Sequence, residues 1–104
     1  MPVAKPGEVW QADLGMAAKV RPCLVLTSPP ANNELAVATL VSHTTALRGN
    51  RWELKIPKPF LQPGAFDVQR VVTVGIEKLE RKIGQLEESE LNLVLDRLAE
   101  RLVI

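Results

Sequence analysis

The chain reads as a small, mainly β domain that finishes in one α-helix. Three observations predict this class. Between Glu8 and Leu86, short apolar or alternating stretches recur, bounded by Pro, Gly and Asn clusters, as short strands joined by turns do. From Glu87 the period changes: Leu91, Val94, Leu95, Leu98 and Leu102 form one helical stripe. A chain of 104 residues builds one domain, residues 1–104, around a single modest core. A sheet of a few short strands hides its edges by curling into a barrel, with the helix over one opening or face.

The elements follow in order. Pro6-Gly7 punctuates the start, and Glu8 to Leu14 alternates as a first strand with Trp10, Ala12 and Leu14 facing the core. Gly15 to Val20 is a short connection of small residues carrying Lys19. Cys23 to Thr27 has the length and apolar character of a buried strand. Pro22 fixes its own φ and biases Arg21 toward extended backbone, so Arg21 is expected at the mouth of this strand. Ser28 to Asn33 is a loop by its prolines and asparagines. Glu34 to Val41 returns to strand character and emerges in the polar cluster Ser42-His43-Thr44-Thr45. Leu47 to Asn50 turns, and Arg51 to Ile56 alternates with Trp52, Leu54 and Ile56 on one face. Prolines make 57–64 irregular. Phe66 to Val74 is a strand broken near Gln69-Arg70. Ile76 to Lys82 carries conflicting signals of helical turn and extended link, and Ile83 to Leu86 is a last short strand. Either Glu87 or Ser89 caps the helix, which carries Asp96, Arg97, Glu100 and Arg101 on its polar side.

Composition narrows the function. A formal net charge of +1 leaves no global signature of a nucleic-acid binder, so a polyanion would have to meet a local patch or a groove between subunits. Cys23 is the only cysteine and His43 the only histidine, which rules out an internal disulfide and a dense zinc set. The first six residues lack the apolar core of a signal peptide, and no run approaches the length of a membrane span. The expectation is a soluble cytoplasmic protein with no membrane partner.

The polar side chains at strand ends are Arg21, Ser42, His43, Thr44, Thr45, Arg48 and Gln69. A Ser42-His43-Asp67 triad can be drawn, but neighbours on a strand point to opposite faces. Carboxylates form no pair of glycosidase-like spacing, and Gly49 stands alone rather than in a phosphate-cradling loop. Arginine with hydroxyls remains. Arginine binds phosphate bidentately and stabilises a phosphorane. RNA carries its own nucleophile in the 2′-OH, so a protein that holds the phosphate and manages two protons can cleave it. The same side chains also serve as a surface arginine and as satisfied strand-end hydroxyls.

The motifs occur in an order that resembles a family. Gly7-Glu8-Val9-Trp10-Gln11-Ala12-Asp13-Leu14, then Arg21-Pro22-Cys23-Leu24-Val25-Leu26-Thr27-Ser28, resembles the opening of the MazF/PemK (Kid-like) toxins of bacterial type II toxin–antitoxin pairs. Leu40 to Thr45, followed by Arg48-Gly49 and Trp52-Glu53-Leu54, resembles that family's second active-site segment. Val68-Gln69 and Leu79 to Leu86 before the helix resemble its closing portion, so the resemblance runs from Pro6 to Leu102. It implies a small SH3-like barrel of the CcdB/PemK type, working as a homodimer without a metal or other cofactor. It implies a sequence-specific endoribonuclease of single-stranded RNA, often mRNA, blocked by a cognate antitoxin. Arg21 corresponds to the catalytic arginine and Thr44 to the catalytic threonine; Lys19, Thr45, Arg48 and Gln69 are the expected RNA contacts. The chain departs from the family in its short Gly15–Val20 connection, in Ala46 where glutamine is common, and in His43. His43 is either a proton donor to the leaving group or a locally packed ring. The alternative function is a non-catalytic barrel that binds a protein, as CcdB-like gyrase poisons do.

Overall fold

The structure is a computed structural model that describes residues 3–15 and 20–104. Its strands are β1 (Glu8–Asp13), β2 (Val20–Val25), β3 (Val37–Thr44), β4 (Glu53–Leu54), β5 (Ala65–Gly75) and β6 (Leu79–Gln85). A 3₁₀ turn, Ile76–Lys78, links β5 to β6, and helix α1 (Glu88–Leu102) ends the fold. All strand pairs are antiparallel, in the order β4-β5-β3-β2-β1-β6. The sheet stays open: among the described residues no ladder joins β4 to β6, so the barrel expected from the sequence is not closed by hydrogen bonds. One edge is a two-residue strand and the other carries exposed Glu80, Arg81 and Lys82, both of which discourage further pairing.

The sheet buries side chains on both faces. Trp10, Ala12, Cys23, Val25, Ala38 and Leu40 pack on one face with Ile76 and Leu79. Val9, Leu24, Val41, Phe66 and Val68 pack on the other with Ile56, Leu86 and Val94. Successive residues therefore enter opposite cores, which is why β2 and β3 read as continuous apolar runs. Each fully buried Leu, Val or Phe contributes about 1.5–3 kcal/mol relative to exposure.

Several boundaries differ from the sequence reading for identifiable reasons. Arg21 lies inside β2 rather than at its mouth, because β1 pairs as far as Asp13↔Val20. Pro22 is tolerated there because β2 meets β3 only from Cys23 onward, so its missing N–H interrupts no ladder on that side. β3 does not emerge at Ser42; Ser42, His43 and Thr44 are buried strand residues. The break expected near Gln69-Arg70 is a register shift: β5 advances from Phe66 to Val71 while β3 advances only from His43 to Val41. Buried Asp67 holds this irregular stretch, accepting the Gln69 N–H at 2.9 Å and pairing with Arg70 at 3.5 Å. β6 begins at Leu79, earlier than its apolar residues suggest, because β1 offers it a partner there.

Glu87 is the N-cap of α1, and its N–H donates to the Glu90 carboxylate at 2.8 Å. The apolar stripe is narrower than predicted. Leu91, Val94 and Leu98 dock on the second core, whereas Leu95 and Leu102 are exposed along with Leu93. Lys58 pairs with Glu90 at 2.7 Å, tying the proline-rich segment to the start of the helix. Arg97 donates to the Arg51 carbonyl near its other end.

Candidate active site

β2 and β3 pair through Val25↔Leu40, Leu24↔Val41 and Cys23↔Ser42, and then the ladder stops. Arg21 and Thr44 lie two residues beyond the last pair, and no ladder joins them. Strand alternation keeps both on the face of Cys23 and Ser42. A cavity of about 500 Å³ opens at the parting of the two strands. Val20, Arg21 and Pro22 line it from β2, Gln11 from β1, His43 from β3, Thr45 just past its end, and Phe60 and Gln62 from the proline-rich segment. Arg21 is half-buried and forms no ion pair with a carboxylate among the described residues. A guanidinium in this position keeps its donors for an external anion.

The neighbours of Arg21 are structurally engaged. The Cys23 thiol donates to Ser42 Oγ at 3.9 Å. Burial pushes that thiol up to about 11, against the pull of the Ser42 hydrogen bond and the Arg21 charge, so it stays protonated and is no nucleophile. Thr44 is 2% exposed, and its Oγ accepts the Ala46 N–H at 3.1 Å. That bond uses an oxygen lone pair and leaves the hydroxyl proton for donation. His43 is buried and meets the Phe66 ring nearly perpendicular, at 75° with centroids 5.1 Å apart. Burial holds its imidazole below the ordinary histidine value, so it is neutral at pH 7. Ser42, His43 and Asp67 each have other partners, and no triad forms.

The structure sorts the sequence-derived candidates into two groups. Arg21 and Thr45 line the cavity, whereas Thr44 is buried and does not line it. Arg48 and Gln69 do not line it. They belong to a second cluster, in which Asn50 Nδ2 donates to Gln69 Oε1 at 3.4 Å. There the Glu53 carboxylate accepts the N–H groups of Arg48, Gly49 and Asn50 at 2.9, 2.7 and 3.2 Å. Gly49, at φ +76°, lets three successive amides converge on one anion. Lys19 lies outside the described residues. Gln11, Phe60 and Gln62 line the cavity but are missed by the sequence reading. The signal for Gln11 is a polar position in an otherwise core-facing strand, but Phe60 and Gln62 sit in a segment without periodicity. Among the described residues, no three His, Cys, Asp or Glu side chains come together as a metal site. No helix among them is long and apolar enough to cross a membrane.

Comparison with known proteins adds a family and a fold. The family model for the PemK-like, MazF-like toxin of type II toxin–antitoxin systems matches residues 5–102. No curated protein matches the chain in sequence. Among solved structures, the chain is similar to MazF from Deinococcus radiodurans, with 18% identity, a TM-score of 0.82 and full coverage of both chains. It is similar to an endoribonuclease from a mycobacterial species in complex with its cognate antitoxin, with 22% identity and a TM-score of 0.80 over 97% of this chain and 96% of that one. It is also similar to Mycobacterium tuberculosis toxin MazF-mt6, with 24% identity and a TM-score of 0.78 over 93% of this chain and 97% of that one. At such identities the likeness speaks for the fold alone.

Proposed function

The chain belongs to the PemK-like, MazF-like toxins of type II toxin–antitoxin systems, and from that premise we propose that it is a metal-independent endoribonuclease cutting single-stranded RNA, mRNA included, at short sequences. The observation that carries the reading is the Arg21 guanidinium, which has no carboxylate partner among the described residues and lines an open, largely polar cavity.

The 2′-OH attacks its own phosphorus, the P–O5′ bond breaks, and the products are a 2′,3′-cyclic phosphate and a 5′-OH. One proton leaves the 2′-oxygen and one reaches the 5′-oxygen. The Arg21 guanidinium neutralises the charge that builds on the phosphorane oxygens. A guanidinium with a pKa above about 12 is a poor base, so its role is electrostatic. Thr44 donates its hydroxyl proton to a phosphate oxygen. Thr44 is nearly covered, and catalytic hydrogen bonds commonly tighten only in the bound complex. Thr45, on the open wall, makes the first contact with the backbone. Arg48 and Gln69 keep the weaker role of RNA contacts away from the scissile bond, and Lys19 remains an expected RNA contact. The protein works in this reading as a homodimer, held inactive by a cognate antitoxin; the antitoxin-bound mycobacterial neighbour supports the latter.

The test is purified protein on defined single-stranded RNA with EDTA present. Cyclic-phosphate ends are expected. Arg21→Ala and the near-isosteric Thr44→Val should each lower the rate about 10²–10³-fold, as loss of one oxyanion donor does. Intact RNA across varied sequences, from correctly folded protein, would overturn the nuclease reading in favour of a protein-binding toxin.

A further inference from the structure

A second cavity, of about 240 Å³, lies against the first. His43 and Gln62 line both, so they form the wall between them. The two differ in chemistry. Five of the eight residues around the Arg21 cavity are polar: Gln11, Arg21, His43, Thr45 and Gln62. The second is built on Ile56, Pro57, Leu61 and Pro63, with Lys55 and Lys58 among its lining residues. Lys58 is paired with Glu90, whereas Lys55 is exposed and has no ion-pair partner among the described residues. The volume falls just below the roughly 300 Å³ at which small-molecule sites begin, a size suited to one ring system.

We propose that this second cavity receives one nucleobase of the RNA whose backbone passes Arg21, immediately beside the cut. The inference rests on the ribonuclease reading and names a subsite for it. A nucleotide divides as the two cavities do: a charged sugar–phosphate on one side and a flat, apolar-faced base on the other. The Phe66 ring fixes the plane of His43, and the Gly64 backbone comes so close to His43 and Thr44 that no side chain fits between. The His43 half of the partition is therefore held in place, and exposed Lys55 is free to meet the next phosphate. A stiff apolar slot recognises a base by stacking and by size.

The experiment uses a single-stranded RNA that the protein cleaves, resynthesised with one abasic residue at each successive position. Each RNA also carries a 2′-deoxy scissile nucleotide, so that binding is measured without turnover. Wild-type protein should lose about 5- to 150-fold in affinity for one abasic position next to the cut, the span expected for one lost base stack. Leu61→Trp, which fills the slot, should bind intact RNA that much more weakly and lose its sensitivity to that abasic residue. Pro57→Trp, at the exposed rim, gives the same readout if Leu61→Trp does not fold. Equal affinity for all abasic RNAs, or full discrimination retained by both filled variants, would overturn the proposal while cleavage left the ribonuclease reading intact. Absence of any cleavage would overturn both.

Discussion

Replacing Gly64 by alanine tests how tightly the loop over β3 is packed. A Cβ built on Gly64 lies 2.2 Å from the Thr44 carbonyl oxygen and 2.7 Å from His43 Cε1, where ordinary contact begins at 3.4 Å. Neither atom can yield easily. The Thr44 carbonyl belongs to a strand paired with Ala65, and the His43 ring is wedged against Phe66. Overpacking of this kind costs about 1–3 kcal/mol, and the upper end applies because backbone must move. Gly→Ala returns about 0.4–1 kcal/mol through the unfolded chain. The net loss is about 2 kcal/mol, or a fall in Tm of about 8–16 °C for a domain of this size. Two other glycines calibrate the result. A Cβ on Gly84 meets the Phe60 ring at 2.4–2.6 Å, and a half-buried ring can swing, so the loss should be smaller. A Cβ on Gly75 meets only the carboxylate of exposed Glu77 at 2.2–2.6 Å, which rotates away, so Gly75→Ala should be neutral or slightly stabilising. Thermal melts followed by circular dichroism report all three. A Gly64→Ala protein melting within about 2 °C of wild type, or an inverted order among the three, would refute the packing reasoning.

Two further outcomes follow from the ionisable groups. Burial keeps His43 below its ordinary value, so the unfolded chain takes up a proton near pH 6.5 before the folded protein does. Stability present above that pH should therefore be lost as the pH falls toward the folded value. His43→Gln should flatten urea-derived stability between about pH 7 and 5, and an unchanged slope would exclude His43 as its source. The backbone N–H of Arg48 leads the causes that hold the Glu53 carboxyl below the usual carboxylate range, with the amides of Gly49 and Asn50 adding to it. Glu53→Gln should speed hydrogen exchange at those three amides and leave the β2 and β3 amides protected. Equal exchange in both proteins would show that the turn holds without the charge.

Part of the site is legible in the residues themselves. The Arg21-Pro22 step followed by an apolar run marks a strand bearing a fixed charge, and Trp52, Leu54 and Ile56 share one face even though only Glu53–Leu54 pairs. A polar cluster that closes an apolar run suggests a strand end meeting solvent at Thr44. Thr44 is instead buried, because β5 pairs with β3 as far as Thr44↔Ala65, a contact between residues far apart along the chain. Arg48 and Gln69 share a chemical type with Arg21 and its polar neighbours, yet their hydrogen bonds join them to a different turn.

Sequence by itself determined the class of this fold, its β-rich order, the closing helix and the strand that carries Arg21, because periodicity and turn residues are local properties. Tertiary structure alone decided that β2 and β3 part beyond Cys23↔Ser42 with Arg21 on a cavity wall, that the helix stripe is only partly covered, and that Phe60 and Gln62 from the proline-rich segment wall the cavity. Those facts depend on register and on which strand finds which neighbour. Long-range pairing sets both, and no local pattern encodes it.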